Sequence, residues 1–180
     1  MNLIDLVLWL PFIGFLITMA MPKDTARVVA AIGAVATLGA ALLLVLGGSP
    51  NTDMQWIPAL DIAYRTGADG LSLWLIVLTA LLTPLAIIAS WSTDQPRTYY
   101  GLILLLEFAV IGVFAARDLF LYYVFWELTL VPALLLIGMF GGHRRKQAAV
   151  KFFIYTMAGS LLMLAAMIYL YVRLGSWDYA

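Results

Sequence analysis

Six apolar segments, each close to the ~20 residues that a helix needs to cross a bilayer, take up most of this 180-residue chain. They run roughly 3–21, 26–46, 71–91, 99–116, 118–140 and 149–172, and each is bounded by charge, Gly or Pro. With lipid as solvent, every backbone N–H and C=O must find its partner inside the protein, and runs of this length do so as helices. The fourth and fifth segments are separated by Arg117-Asp118 alone. One helix over 99–140 would be about 60 Å long at 1.5 Å per residue, twice the hydrocarbon thickness, so the chain must turn there. Composition agrees: 64% of the residues are hydrophobic and 11% charged, against about 45–50% and 25% in ordinary soluble domains. The pattern predicts an all-α, polytopic helical membrane protein in which residues 1–180 form a single transmembrane domain of about six helices.

The first apolar stretch has no basic residue before it, and it is longer than a signal-peptide core. It is expected to stay as the first span. The longest connection, 47–70, is rich in turn formers, from Gly47-Gly48-Ser49-Pro50-Asn51 to Asp69-Gly70. Within it, Ile57 to Tyr64 is expected to form a short hairpin or interfacial strand. Loops one, three and five carry Lys23, Arg27, Arg97, Arg144, Arg145, Lys146 and Lys151, whereas the other side carries Arg65, Arg117 and Arg173. Cytoplasmic loops are the ones enriched in Lys and Arg, so the odd loops are predicted to be cytoplasmic and the N-terminus to lie outside. Trp9, Trp56, Trp74, Trp91 and Trp177 fall near segment ends or in the long loop, where interfacial anchors belong.

Much chemistry is excluded. The chain has no cysteine, hence no disulfide and no thiolate-held metal or iron–sulfur cluster. Its single His143 lies beside Arg144-Arg145-Lys146, a run read as a topology determinant, with an anionic-lipid contact as the weaker option. No Gly-rich phosphate loop is present, no Ser-His-Asp set can be built, and a net charge of zero implies no nucleic-acid partner.

The informative residues are acids inside apolar runs. Glu127 sits in Tyr122-Tyr123-Val124-Phe125-Trp126-Glu127-Leu128-Thr129-Leu130-Val131-Pro132. A carboxylate at that depth costs on the order of 3 kcal/mol, so such residues face polar interiors or ion paths. Burial raises the pKa of a carboxyl group and a nearby cation lowers it, so the two together suit a proton relay. Tyr123 lies one turn earlier and can donate to it. Pro132 removes the N–H that the Leu128 carbonyl would accept from, and it is expected to loosen the helix beside the acid. The other reading of Glu127 is a structural pair with a cation on a neighbouring helix. Glu107 is the second buried acid, either a relay member or a neutral, hydrogen-bonded structural group. Lys151 opens the last span, and by position it reads more readily as a snorkelling lysine than as a relay group. Gly138, Gly141, Gly142, Gly159 and Ser160 read as a small face for close helix packing.

Three stretches carry a family resemblance. They are Gly67-Ala68-Asp69-Gly70-Leu71-Ser72 with Leu78 through Ala86, then Gly112 through Phe120 running into Phe125-Trp126-Glu127, and Lys151-Phe152-Phe153-Ile154-Tyr155-Thr156. With the Val131-Pro132 that follows Phe125-Trp126-Glu127, they make the sequence similar to the antiporter-like subunits of proton-pumping NADH:quinone oxidoreductase (respiratory complex I), in particular bacterial subunit M, or chain 4. The resemblance implies that Glu127 belongs to an essential membrane Glu–Lys pair, and that Lys151 is a candidate relay lysine on the next helix. It implies a full fold of about fourteen helices with two inverted repeats, whose broken helices line half-channels. The helix bearing the main partner lysine would follow Ser176-Trp177-Asp178-Tyr179-Ala180, so the sequence is expected to be the N-terminal part of such a subunit.

The implied function is proton translocation coupled to electron transfer from NADH to quinone. The implied setting is a bacterial inner membrane, as a multi-pass subunit among other membrane-arm subunits. NADH, FMN, iron–sulfur clusters and quinone would be held by partner subunits and none by this chain. The alternatives are a subunit of a multi-subunit sodium/proton antiporter or membrane-bound hydrogenase, and a short non-conducting structural subunit.

Overall fold

The computed structural model describes residues 2–48, 51–58 and 61–177. It contains α1 (Leu3–Ala20), α2 (Lys23–Gly47), β1 (Thr52–Ile57), β2 (Ile62–Thr66), α3 (Gly70–Ala89), α4 (Pro96–Ala115), α5 (Leu119–Phe140) and α6 (Arg145–Leu174). All six helices are long and apolar enough to cross a membrane. Their bounds fall close to the apolar segments. The largest difference is at α6, which begins four residues before the expected 149, because Arg145 and Lys146 are good helix formers and continue the turn.

Local chemistry sets the ends. Asp69 caps α3, accepting from Leu71 N at 3.1 Å and Ser72 N at 2.8 Å, while its own N–H donates to Ser72 Oγ at 2.9 Å. The bonds from Ser72 hold its carboxyl below the usual range. The cap is therefore intact above the ordinary Asp pKa and is lost only on acidification through the lowered one. Asp69→Ala should cost about 1 kcal/mol, read as a lower melting temperature in detergent. At the far end of α6, Gly175 ends the helix in the left-handed conformation, with φ 74°.

The helix α4 is the axle of the bundle, packing against α1, α2, α3 and α5, while α6 packs against α5. Small residues set the close crossings. At Gly112, a Cβ would overlap the ring of Phe125, so α5 presses directly on the α4 backbone there. At Gly101, the Met19 sulfur of α1 comes within 2.9 Å of where a Cβ would stand.

A hairpin closes one end. β1 and β2 pair antiparallel, Thr52 opposite Thr66 and Met54 opposite Tyr64, with an irregularity between Gln55 and Ile57. The hairpin expected over Ile57–Tyr64 is present, but its strands are displaced: Ile57 is the last residue of β1 rather than its start. At the end of β2, Thr66 bridges to Ala116, Gly67 N donates to Ala115 O at 2.8 Å and Arg117 N to Arg65 O at 2.8 Å. The α4–α5 link thus runs beside β2 as a third extended segment.

Two buried carboxylates grip the hairpin from either side. Asp5 of α1 accepts from Thr52 Oγ1 at 2.9 Å, Thr66 Oγ1 at 3.0 Å and Tyr64 Oη at 3.2 Å. Asp118, before α5, accepts from Phe120 N at 2.9 Å, Leu121 N at 3.1 Å and Ala63 N at 3.4 Å, and it faces Arg65 Nη1 at 4.0 Å. Successive side chains of a strand point to opposite faces, so Tyr64 and Thr66 reach α1 while Arg65 between them reaches α5. Burial raises the Asp118 carboxyl above the usual range. Burial also pushes the Tyr64 phenol up to about 12, and the Asp5 charge adds to the shift. With the folded pKa raised, this contribution to stability is complete below the ordinary tyrosine pKa of about 10 and lost as pH rises through about 12. In an ultraviolet titration, Tyr64→Phe should remove a late-ionising phenol.

Trp177 corrects an expectation. It is no interfacial anchor: only 6% exposed, it stacks on Tyr171 at 4.4 Å and meets Phe120 edge-on at 5.8 Å, and its carbonyl accepts from Leu119 N at 2.9 Å. An aromatic partner on each side removes it from the membrane surface. Residues 178–180, like Ser49 and Pro50 of the long loop, lie outside the described residues.

Candidate proton-relay site

The two membrane acids stand at matching depths. Glu107 lies eight residues before the end of α4, and Glu127 eight residues after the start of α5. At 1.5 Å per residue, both are about 12 Å from the Ala116–Asp118 turn that joins the helices. The symmetry follows from the tight link noted in the sequence.

Their surroundings differ. Glu107 is 2% exposed, and neither carboxyl oxygen has a hydrogen-bond partner among the described residues. Thr83 of α3 stands beside it, with its hydroxyl donating to the Thr79 carbonyl at 3.0 Å. Thr83 is thus the polar side chain at hand for Glu107, and the relay and structural readings of this acid both stand. Glu127 is half-buried, and its Oε1 is shielded and unpartnered among the described residues. Tyr123, one turn earlier, sits within reach of both Glu127 and Ser160 of α6. Ser160 is itself buried and donates to the Met157 carbonyl at 3.1 Å. Glu107 therefore faces α3 and Glu127 faces α6, on opposite flanks of the α4–α5 pair.

The structure does not bring Lys151 to Glu127. Lys151 is exposed and lies six residues into α6, about 9 Å from its start, whereas Glu127 lies thirteen residues, about 20 Å, from the end of α5 that adjoins it. No ion pair within 4.0 Å joins Glu107, Glu127 or Lys151 to any group among the described residues. Pro132 is buried, and α5 runs unbroken past it. Beside it, Thr129 Oγ1 donates to the Trp126 carbonyl at 2.7 Å.

Thr83 and Ser160 escaped the sequence reading as site residues. Each is a small hydroxyl inside an apolar helix, and Ser160 reads as packing until α6 is placed against α5. Asp5 was passed over as well, because its partners lie 47 to 61 residues away. Asp118 carried a signal that went unused, since an Asp directly before an apolar run is an N-cap pattern.

Fold and site together define a polytopic helical membrane protein with two carboxyl groups at bilayer depth that have no ion pair among the described residues. The family model described as NADH-ubiquinone oxidoreductase chain 4, amino terminus, matches residues 6–113, and that described as NADH:quinone oxidoreductase/Mrp antiporter, TM, matches 116–179. The chain belongs to the NADH-quinone oxidoreductase subunit M (chain 4) family. It is 39% identical over 170 residues to F(420)H(2) dehydrogenase subunit M of Methanosarcina mazei, which covers 89% of this chain and 34% of that protein. It is 36% identical over 190 residues to NADH-quinone oxidoreductase subunit M of Rhodobacter capsulatus, covering 98% of this chain and 37% of that one. Among solved structures it superposes on a chain of respiratory complex I from Thermus thermophilus with a TM-score of 0.88 and 31% identity, over 97% of this chain and 38% of that chain. The match thus spans about a third of the length of these two curated relatives.

Proposed function

We propose that this chain is part of a proton-translocating membrane subunit of a quinone-reducing respiratory complex, with Glu127 as its principal proton carrier. The observation that carries the reading is the half-buried Glu127 on α5, which has no ion pair among the described residues and stands beside the Tyr123 hydroxyl, itself next to Ser160 of α6. Glu107 and Lys151 are secondary members, and Pro132 supplies the freed Leu128 carbonyl that a water chain can use. Electron transfer from NADH to quinone takes place on partner subunits that hold NADH, FMN, iron–sulfur clusters and quinone. Movement in the membrane arm then shifts a cation toward or away from Glu127 and so changes its proton affinity. The chain itself carries out no redox step.

The two subunit M relatives are named for different electron donors, NADH in one and F(420)H(2) in the other. What they share suits work in the membrane rather than donor oxidation. The count of cationic loop residues supports a reading in which the hairpin end lies outside a bacterial inner membrane and the opposite end in the cytoplasm.

A sodium/proton antiporter subunit is the second reading, favoured by the family description that names the Mrp antiporter beside the oxidoreductase. The test is donor-driven acidification of inverted vesicles, with and without sodium. Quinone-coupled acidification independent of sodium supports the oxidoreductase reading, and sodium-dependent proton exchange without a donor supports the antiporter. In the same assay, Glu107→Gln should lower pumping several-fold. Lys151→Gln should have a smaller effect, because the lysine is exposed and about 10 Å off the depth of Glu127.

A further inference from the structure

We propose that Arg27, Trp91 and Arg97 form a binding site for a phosphate headgroup at the end of the bundle opposite the hairpin. Three helices converge there. Ala30 of α2, Ile87 of α3 and Tyr100 of α4 are fully buried in one cluster. One turn nearer the membrane surface on each helix path come Arg27, Trp91 and Arg97, three, four and three residues away. Residues three apart share a helix face, so the buried cluster aims Arg27 and Arg97 toward one spot, and Trp91, two residues beyond the end of α3, joins them from the turn. The Arg27 guanidinium lies 5.9 Å over the Trp91 ring. Tyr100 Oη donates to the Ser90 carbonyl at 2.6 Å, which ties the end of α3 to α4 beside it.

The two arginines are short of acceptors. The Nε of each is shielded from solvent and has no hydrogen-bond partner among the described residues. The nearby acids do not supply one: Asp24 and Asp94 are exposed, and neither forms an ion pair within 4.0 Å among the described residues. Lys23 adds a further exposed positive charge. A guanidinium presents its N–H groups in a planar fork that fits a phosphate with two parallel bonds. A tryptophan at a membrane-facing end is at home at headgroup level. The more basic loop nearby fits the role less well, because Arg145 already donates to the Met139 carbonyl at 2.6 Å.

The test uses the protein purified with its accompanying subunits and reconstituted in nanodiscs of phosphatidylglycerol and phosphatidylcholine. Native mass spectrometry counts the phosphatidylglycerol that stays bound after release. Arg27→Gln with Arg97→Gln should reduce retention about tenfold, the loss of one charge-assisted contact or more. Arg144→Gln with Arg145→Gln should leave retention unchanged, and the conservative Arg27→Lys, Arg97→Lys pair should keep part of it while preserving assembly. If lipid retention is unaffected but broadening of the phosphorus resonance of inorganic phosphate is lost in the Gln pair, the site stands with a soluble anion as its source. Equal lipid retention and equal phosphate broadening in wild type and the Gln pair would overturn the proposal. So would an equal loss from the Arg144/Arg145 pair, which would mark bulk surface charge instead of a site.

Discussion

Replacing Glu127 with Gln is expected to abolish most donor-driven proton pumping while leaving the helix bundle intact. Gln keeps the length and hydrogen-bonding capacity of Glu but cannot titrate. Glu127 forms no ion pair among the described residues, so the exchange strands no buried cation of this part of the chain, the usual reason that removing one partner of a buried pair costs 3–5 kcal/mol or so. Assembly and melting temperature should therefore stay close to wild type, and the loss should lie in transport. The measurement is the ratio of protons moved to electrons transferred in inverted vesicles. A wild-type ratio in the Gln variant would reject the assignment, and a failure to assemble would move the structural-pair reading ahead. Tyr123→Phe, which removes the hydroxyl beside the acid, should give a partial loss by the same assay.

Gly112→Val is expected to destabilise the contact between α4 and α5. The Phe125 ring occupies the space where a Cβ would stand, and the site lies in the main core with Phe108, Ile111 and Leu121. Overpacking of this kind costs about 1–3 kcal/mol, and the penalty sits between the two helices that carry the acids. Loss of assembled protein and a lowered melting temperature in detergent are the readouts. The clash is specific, so Phe125→Leu in the same chain should recover part of the loss, a non-additivity expected of residues in contact. Strict additivity would mean that Gly112 matters for some reason other than the ring.

The membrane helices were readable because one cause, apolar length, decides them. From α1 to α5 the bounds lie within about three residues of the apolar runs. Depth was readable for the same reason: Glu107 and Glu127 sit where counting along their segments puts them. Orientation around each helix axis was not. Glu107 looks to Thr83, and Tyr123 beside Glu127 looks to Ser160, because of how α3 and α6 lie against the α4–α5 pair, and no local pattern encodes that. Trp177 shows the same limit from the other side. Its position near a segment end suggested the membrane surface, but Tyr171, six residues back on α6, and Phe120 of α5 enclose it. The hairpin strands were misplaced because their register is fixed by distant carboxylates. Asp5 and Asp118 choose which residues of β2 face which helix, at sequence separations of 55 and more for Ala63, Tyr64 and Thr66.

The clamped strand has a mechanical consequence. Its two carboxylates, the bridge to Ala116 and the bond from Leu119 to Trp177 lock α1, α5, the α4–α5 link and the last described residues into one spine. At the other end the helices are joined by short turns such as Met21-Pro22 and Gly141–Arg144. A bundle bound along one edge opens like a fan. Any tilt imposed by a neighbouring subunit would grow along helices about 30 Å long, from almost nothing beside Asp118 to its full extent around Arg27 and Arg97. Glu107 and Glu127, partway down that lever, would feel a fraction of the displacement. A shift of that size changes which hydroxyl or water a carboxyl group can reach without unpacking the core around it.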